Sequence, residues 1–255
     1  MIVESRVRRE LLDELAPQVR PVDIDDAYRV QSLAHRLLTA ADFGEIGGWK
    51  IGCTTRVMQE FLGVDTPVAG AMFLGSMGQG HREFLVSSPC VLGVECEIAV
   101  RMSRDLDRSE QPYDVHDVAG SIASSMAAIE VVEDRFVDYA SLGLATLAAD
   151  DFFHFGSVVG EEHDAINPYE LKDVTATLSI NGEFVESGRG SDILGDPLNA
   201  LVWLANHLVG RGLALRAGDV VSLGSVVKTQ WVQPGDAVAV DNDALGHVSA
   251  SFGGS

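Results

Sequence analysis

Helix-like and strand-like patterns are unevenly distributed along this chain of 255 residues. Leu, Val and Ala recur at three- and four-residue intervals over residues 6–16 and 23–40, which predicts two helices. From residue 49 onward most segments are short and β-like, and glycine-rich or Pro-Gly turns separate them. Helices first and mostly antiparallel strands later predict an α+β fold rather than a doubly wound one. We therefore expect an N-terminal helical region at 1–48 and a second, β-rich domain at 49–255.

Local patterns in the second domain give more specific predictions. Residues 90–101 (CVLGVECEIAVR) read as a strand, whereas residues 117–129 are rich in Ala and Ser at helical spacing and predict a helix that runs into a short strand, EVV. Asn181-Gly182 predicts the turn of a β-hairpin. The remaining predictions are a strand at 49–54, a helix at 56–63, a loop at 64–70, a helix at 197–212 and strands at 219–227, 236–243 and 245–252.

The charge balance restricts the kinds of partner. Asp and Glu number 38 against 18 Lys and Arg, a formal net charge of -20. Such a chain repels a phosphate backbone, so nucleic acid is not an expected partner. An anionic ligand must instead be received by a local positive centre, such as a metal ion, a lysine or a helix N-terminus.

Cysteine usage and hydropathy bear on location. Cys53, Cys90 and Cys96 form an odd set without a CxxC pair, which indicates neither a disulfide framework nor a zinc site and favours the cytoplasm. No apolar run approaches the ~18 residues that a membrane span needs. A membrane partner is not expected.

Carboxylates are concentrated at two places in the sequence. In the strand VECEIAV, Glu95 and Glu97 share one face because successive side chains alternate. Glu130 lies in AIEVV, at the predicted junction between the small-residue helix and an apolar strand, where an unpaired carboxylate is costly if buried. The three suit Mg²⁺ or Mn²⁺, which prefer oxygen ligands. The alternatives are a solvated strand face and, for Glu133, Asp134 and Arg135, a surface ion-pair cluster.

Several motifs resemble those of a known family. Lys50-Ile51-Gly52, the ExE of Glu95 and Glu97, and AIEVVEDR from Ala128 resemble the fumarylacetoacetate hydrolase superfamily, in particular its 2-oxopent-4-enoate hydratase and 4-oxalocrotonate decarboxylase branch. The similarity runs through almost the whole chain. Further matching pieces are Leu62-Gly63-Val64, the stretch from Ser187 (SGRGSDILGDPLNALVWLAN) and AGDVVSLGS from Ala217.

The resemblance implies a β-roll or distorted barrel with N-terminal helices, commonly as a homo-oligomer, and a catalytic role for residues 49–255. It implies Mg²⁺ or Mn²⁺ on Glu95, Glu97 and Glu130, and a substrate whose carboxylate and 2-oxo groups chelate the metal. Lys50 is implied as an acid/base or orienting cation, and Ser187 as a residue that holds a substrate carboxylate. No nucleotide or flavin is implied.

The chain departs from the family pattern in the loop after the LGV segment. Relatives carry an aspartate in a PDFG-like loop, where this chain has Pro67-Val68-Ala69-Gly70. Valine cannot move a proton. Asp65, three residues earlier, is a candidate substitute, and its alternative interpretation is a turn-forming residue beside Thr66-Pro67.

Two further departures concern a histidine and a lysine. Phe152-Phe153-His154 replaces a run of small polar residues in relatives, so His154 is a candidate acid/base group near neutral pH, or else a hydrogen-bonded structural histidine. Lys228 replaces an apolar turn residue and is a candidate contact for an anionic substrate, or else a solvated turn lysine.

These features predict a metal-dependent lyase that acts on a small 2-oxo or 2-hydroxydienoate acid, either a hydratase or a decarboxylase. The physical logic is that a metal bound to a 2-oxo acid withdraws electron density from the carbonyl and stabilises an enolate. Two alternatives stay open. One is an acylpyruvate-type hydrolase or 2-oxo acid tautomerase, and the other is a non-catalytic metal-binding homologue in a mixed oligomer.

Overall fold

A computed structural model describes residues 1–13, 15–55, 58–60, 63–86, 89–107 and 110–254. Five α-helices are described: α1 (Ile2–Arg8), α2 (Ile24–Leu38), α3 (Val115–Ala119), α4 (Gly143–Ala149) and α5 (Pro197–Gly210). The strands are β1 (Ile46–Gly52), β2 (Val68–Phe73), β3 (Met77–Gln79), β4 (His81–Val86), β5 (Val91–Met102), β6 (Ile122–Asp134), β7 (His154–Val159), β8 (Thr175–Ile180), β9 (Glu183–Arg189), β10 (Val220–Ser225), β11 (Gln230–Trp231), β12 (Ala237–Asn242) and β13 (Gly246–Gly254).

The strands form two mixed sheets. The larger has the order β2-β1-β10-β5-β6-β7-β3, with β11 paired to β5, and the smaller has the order β4-β13-β12-β8-β9. Most neighbours are antiparallel, and the parallel pairs are β1 with β10, β3 with β7 and β4 with β13. The predicted α+β class is confirmed. None of the described helices has the length and apolar character needed to cross a bilayer.

The larger sheet is rolled. Strand β2 at one end contacts β7 near the other end, where the Ser157 hydroxyl donates to Met72 Sδ at 3.2 Å, so the sheet curls around an apolar cluster to which both end strands contribute. Neither sheet closes into a barrel within the described ranges, so the roll, not the barrel, describes the architecture. The cluster consists of Met72, Ala99, Met126, Ala128, Val159 and Val220, with Met77 packed against it. It forms a floor inside the roll.

The N-terminal helices differ in how well the sequence predicted them. Helix α2 begins as expected, because the Asp23 side chain accepts a hydrogen bond from Asp26 N at 2.8 Å. The prediction of a helix at 6–16 is wrong, since α1 ends at Arg8 and Arg9 turns into the left-handed region (φ 54°). Beyond it, Leu12 N donates to Arg135 O at 2.6 Å, so tertiary pairing replaces further helical bonds.

The largest correction concerns residues 117–129. Helix α3 ends at Ala119, and Ile122–Asp134 form the long strand β6. Both faces of β6 are buried, since Met126 and Ala128 pack on the floor of the roll while Ala127 and Ile129 belong to the main core. Small residues suit a strand packed tightly on both sides, and their spacing imitated a helix.

Most other predictions agree with the structure. The hairpin β8–β9 turns at Asn181 (φ 54°) and Gly182 (φ 80°), as an Asn-Gly turn requires. The predicted loop at 64–70 is partly wrong, because Val68 begins strand β2 and its side chain is fully buried. Of the predicted helix at 56–63, residues 58–60 are helical, and residues 56, 57, 61 and 62 lie outside the described residues.

Candidate metal centre and active site

The register of β5 and β6 brings the three predicted carboxylates together. Glu95 lies directly opposite Glu130, and Glu97 lies opposite Ala128, whose side chain is in the floor of the roll. Because side chains alternate along a strand, Glu95, Glu97 and Glu130 all point into the roll. Each offers a carboxylate oxygen, and these oxygens lie within 4.8 Å of one another. We call these residues the carboxylate trio.

Burial makes the carboxylate trio electrostatically unfavourable on its own. Glu97 and Glu130 are buried and Glu95 is half-buried. Burial raises the pKa of Glu97 well above its usual value, and the nearby charges of Glu130 and Glu95 raise it further. The pKa of Glu95 is raised for the same reasons, first by burial and then by Glu130. Like charges held this close in a dry site favour the binding of a cation.

A buried lysine stands beside the trio. Lys50 Nζ lies 3.2 Å from Glu130 Oε1 and donates to Phe152 O at 3.1 Å. Burial lowers the pKa of Lys50, but the charges of Glu130, Glu95 and Glu97 outweigh it, so the net shift is upward. Lys50 is therefore held as a cation against the carboxylates.

His154 contacts the same carboxylate as Lys50. Its Nδ1 lies 2.8 Å from Glu130 Oε1, and the side chain is completely buried. Burial lowers the pKa of His154, and the hydrogen bond to Glu130 opposes that shift only in part. Burial alone would raise the pKa of Glu130, but Lys50 and His154 bring it below its usual value.

Three buried polar atoms at this place have no hydrogen-bond partner within the described ranges. They are Glu97 Oε1, Glu130 Oε2 and His154 Nε2. Unsatisfied buried polar groups are rare because each costs on the order of 1–3 kcal/mol, so they commonly mark a ligand that completes the site. Two free carboxylate oxygens in an excess of negative charge fit a hard divalent cation such as Mg²⁺ or Mn²⁺.

Other side chains orient the trio, and sequence reasoning missed them. The Ser222 hydroxyl and the Gly224 N–H both donate to Glu97 Oε2, the latter at 3.0 Å. The Thr229 hydroxyl donates to Glu95 Oε1. Ser222 and Gly224 lie on β10, which pairs with β5. The glycine at position 224 was the one sequence signal for this contact. Its φ of 129° favours glycine, and a side chain there would collide with Thr54.

Comparison with known proteins identifies the family. The family model described as fumarylacetoacetate (FAA) hydrolase C-terminal matches residues 76–252. The chain belongs to the fumarylacetoacetate hydrolase family. It is 33% identical to a 2-keto-4-pentenoate hydratase of Paraburkholderia phymatum, over 98% of this chain and 94% of the relative. A second 2-keto-4-pentenoate hydratase, from Burkholderia vietnamiensis, is 35% identical over 89% of this chain and 85% of the relative.

A solved structure supports both the family and the fold. The 4-oxalocrotonate decarboxylase from Pseudomonas putida G7, complexed with magnesium and adipate, superposes on this fumarylacetoacetate hydrolase family member with a TM-score of 0.89. The two share 25% sequence identity, and the match covers 98% of this chain and 94% of the decarboxylase. The same enzyme is also known in complex with calcium and acetate. The predicted family, including the hydratase and decarboxylase branch, is confirmed.

The other candidate site residues are more peripheral. Asp65 is exposed in the bend before β2, and Val68 is buried with no group that can move a proton. Ser187 and Lys228 are both exposed, on adjacent segments, since Lys228 N donates to Glu186 Oε2 at 3.2 Å. Lys228 precedes Thr229, which contacts Glu95. The structure thus brings Lys50 and His154 to the trio. It leaves Ser187 and Lys228 exposed on neighbouring segments, and the segment of Lys228 leads directly into Thr229 beside Glu95.

The alternative interpretation of Glu133, Asp134 and Arg135 as a surface ion-pair cluster is wrong for Glu133 and Arg135, because both are buried. Arg135 bonds Asp150 Oδ2 at 2.5 Å and Glu133 Oε2 at 3.2 Å, and Arg6 bonds Asp151 Oδ2 at 2.5 Å. We call Arg6, Glu133, Arg135, Asp150 and Asp151 the ionic cluster. Burial lowers the pKa of Arg135, but Asp150 and Glu133 outweigh it, so the net shift is upward.

Proposed function

We propose that this chain is a metal-dependent lyase that adds water to a small 2-hydroxydienoate acid of the 2-keto-4-pentenoate type. The observation that carries the proposal is the carboxylate trio, with two unpartnered oxygens beside the buried Lys50 and His154. The identity to two hydratases over most of their length supports the choice of hydration over other reactions.

Glu95, Glu97 and Glu130 would hold Mg²⁺ or Mn²⁺. The bound ion supplies a Lewis acid that polarises the 2-oxo group of the substrate. Met126 and Ala128 of the apolar floor share a face of β6 with Glu130, so an apolar surface adjoins the trio inside the roll. Apolar surroundings strengthen the electrostatic effect of the charges in the site.

Lys50 and His154 are the proposed acid/base groups. Lys50 brings a positive charge that anchors the substrate carboxylate or delivers a proton from Nζ. When Nδ1–H of His154 donates to Glu130, the lone pair at Nε2 is free to accept a proton. Lys50 and His154 together take the role in proton transfer that Val68 cannot fill. Asp65 is not part of the proposed mechanism, because it is exposed in the bend before β2.

Ser187 and Lys228 are proposed as contacts for the distal part of the substrate. Both are exposed on neighbouring segments, and Lys228 is next in sequence to Thr229, whose hydroxyl donates to Glu95 of the trio. The positive charge of Lys228 would also attract an anionic substrate toward a chain of net charge -20.

The oligomeric state and the cellular location are proposed from exposed apolar side chains and from the cysteines. Leu33 and Leu37 are each 49% exposed, one helical turn apart on α2, which supports a homo-oligomer. Three free cysteines support a cytoplasmic location. Light scattering coupled to size exclusion would give the oligomer size.

The function is tested by turnover of the purified, metal-loaded protein. Incubation with 2-hydroxypenta-2,4-dienoate should remove the dienol absorbance and give the hydrated 2-oxo acid. In parallel, 4-oxalocrotonate tests for release of CO₂ and an acylpyruvate tests for hydrolysis. A Lys50→Met variant should retain Mn²⁺ and lose turnover. If the wild type binds Mn²⁺ and turns over none of the three compounds, the non-catalytic alternative replaces the proposal.

A further inference from the structure

The turn between α4 and β7 has an unusual backbone. Asp151, Phe152 and Phe153 all lie in the left-handed region, with φ of 53°, 49° and 67°. Three successive residues with side chains seldom adopt this conformation, because each Cβ crowds the neighbouring carbonyl. Such strain persists only where surrounding contacts fix the backbone, and it is concentrated at functional sites.

The contacts that fix this turn converge on one carboxylate. Asp151 is 1% exposed, and both of its oxygens are occupied. Oδ2 accepts from Arg6 at 2.5 Å, while Oδ1 lies 2.7 Å from His35 Nε2 and accepts from Ala71 N at 3.0 Å. Burial would raise the pKa of Asp151, but His35 and Arg6 outweigh it and lower the pKa. Asp151 is therefore held as a carboxylate by groups from three separate segments.

The same turn contacts the site at two points, one on Lys50 and one on Glu130 of the carboxylate trio. The carbonyl oxygen of Phe152 accepts from Lys50 Nζ at 3.1 Å, and the Phe152 ring centroid lies 5.2 Å from that nitrogen. Two residues later, His154 Nδ1 contacts Glu130. Arg6 also reaches His154 O, at 3.4 Å. A rotation of the strained residues would therefore shift His154 relative to Glu130 and withdraw the Phe152 carbonyl that holds Lys50 beside Glu130.

We infer that Asp151 and Arg6 are positioning residues, which hold the strained turn so that Lys50 and His154 face Glu130. Arg6 lies on α1, so the N-terminal helical region takes part in building the site. The kinetic consequence rests on the proposed function, whereas the conformational consequence does not. A salt bridge with a merely structural role would lower the stability of the protein and leave the rate of each folded molecule unchanged.

Asp151→Asn provides the first test. In the folded variant we expect kcat to fall about 10- to 100-fold, because small misplacements of catalytic groups have effects of that size. KM and the Kd for Mn²⁺ should change less than about threefold, since the trio itself is untouched. Hydrogen exchange of the metal-free protein should become faster in peptides that cover residues 150–155.

Substitutions of Arg6 supply an independent test that does not depend on the folding of Asp151→Asn. Arg6→Met should show the same loss of kcat and the same faster exchange, and Arg6→Lys should restore part of both. Arg101→Met is the matched control. Arg101 pairs with Glu162 at 2.7 Å and lies four residues from Glu97, the nearest member of the trio on β5, about 13 Å away at the usual rise per residue. It should alter neither exchange at 150–155 nor kcat.

The outcomes separate this inference from the proposed function. Unchanged exchange and unchanged kcat in the Asp151 and Arg6 variants would overturn the inference, even if the wild type is an active lyase. If the wild type has no lyase activity, faster exchange at 150–155 in Arg6→Met, together with its reversal in Arg6→Lys, still supports the positioning of the turn.

Discussion

The carboxylate trio and the ionic cluster are both buried sets of charges, and they share strand β6. Glu130 and Glu133 are three residues apart, so their side chains point to opposite faces of the strand. In the trio, three carboxylates face a single lysine of the described chain, Lys50. In the ionic cluster and its neighbour Arg9, three arginines face three carboxylates. One set is balanced and the other carries two excess negative charges.

This difference separates a structural role from a binding role. In the ionic cluster burial still raises the pKa of Asp150, but His35 and Arg6 outweigh burial at Asp151 and lower its pKa, and Asp150 and Glu133 outweigh it at Arg135 and raise its pKa. In the trio, burial and mutual repulsion raise the pKa of Glu95 and Glu97. A buried set that is unbalanced without its ligand gains most from binding a cation.

The largest expected effect is a loss of stability when the balanced cluster is broken. Arg135→Met leaves Glu133 and Asp150 without their shared partner in the interior, so the free energy of unfolding should fall by about 3–5 kcal/mol. Urea denaturation of the metal-free protein measures it. Glu97→Gln is the comparison and should not lower the stability, because it removes one of the repelling charges in the trio. A larger loss in Glu97→Gln than in Arg135→Met would contradict the distinction.

The second effect is on metal affinity. It should be large when a residue of the carboxylate trio is changed and small when a residue of the ionic cluster is changed. Glu130→Gln removes a ligand and leaves a neutral amide, so the Kd for Mn²⁺ should rise more than about 100-fold, or about 2.7 kcal/mol. Glu133→Gln, on the same strand but in the ionic cluster, should leave the Kd within about threefold. Isothermal titration calorimetry gives both values. Equal losses in the two variants would show that the metal does not bind at the trio.

The sequence alone predicted one of these clusters better than the other. Alternation along β5 placed Glu95 and Glu97 on one face, and the cost of burying a carboxylate in AIEVV, together with the family resemblance, added Glu130, although its segment was expected to follow a helix. The ionic cluster could not be predicted, because Arg6 and Asp151 are 145 residues apart and meet only in the folded chain. Arg135 looked like a surface residue because charge usually means exposure. Periodicity reports local faces, whereas pairings between distant segments require the tertiary structure.

A smaller effect should come from the hydroxyl groups that orient the trio. Ser222 and Thr229 each donate to one carboxylate, Glu97 and Glu95 respectively. Ser222→Ala and Thr229→Val should each weaken Mn²⁺ binding by about 10-fold, since such supporting contacts typically affect affinity by that factor or more. Ser225→Ala is the matched control on β10, because the Ser225 hydroxyl donates to the Val227 and Cys96 carbonyls instead. An affinity loss in the control equal to that in Ser222→Ala would point to distortion of the strand.

The smallest expected effect is the pH dependence that Asp151 gives to the balanced cluster. Its pKa in the folded chain is below its ordinary value, where burial is outweighed by His35 and Arg6. An unfolded aspartate has a pKa of about 3.9, so below about pH 4 the unfolded chain binds a proton that the folded chain does not. The stability due to Asp151 is therefore present above this pKa and is lost as the pH falls further. We expect the difference in the free energy of unfolding between wild type and Asp151→Asn to become smaller as the pH falls from about 5.5 to about 3, across the ordinary aspartate pKa of about 3.9. Asp164→Asn, at an exposed position, is the control for the loss of one carboxylate without the contacts of Asp151. A constant gap for Asp151→Asn would mean that this carboxylate is not held charged by its partners, and the contrast with the carboxylate trio would then rest on metal binding alone.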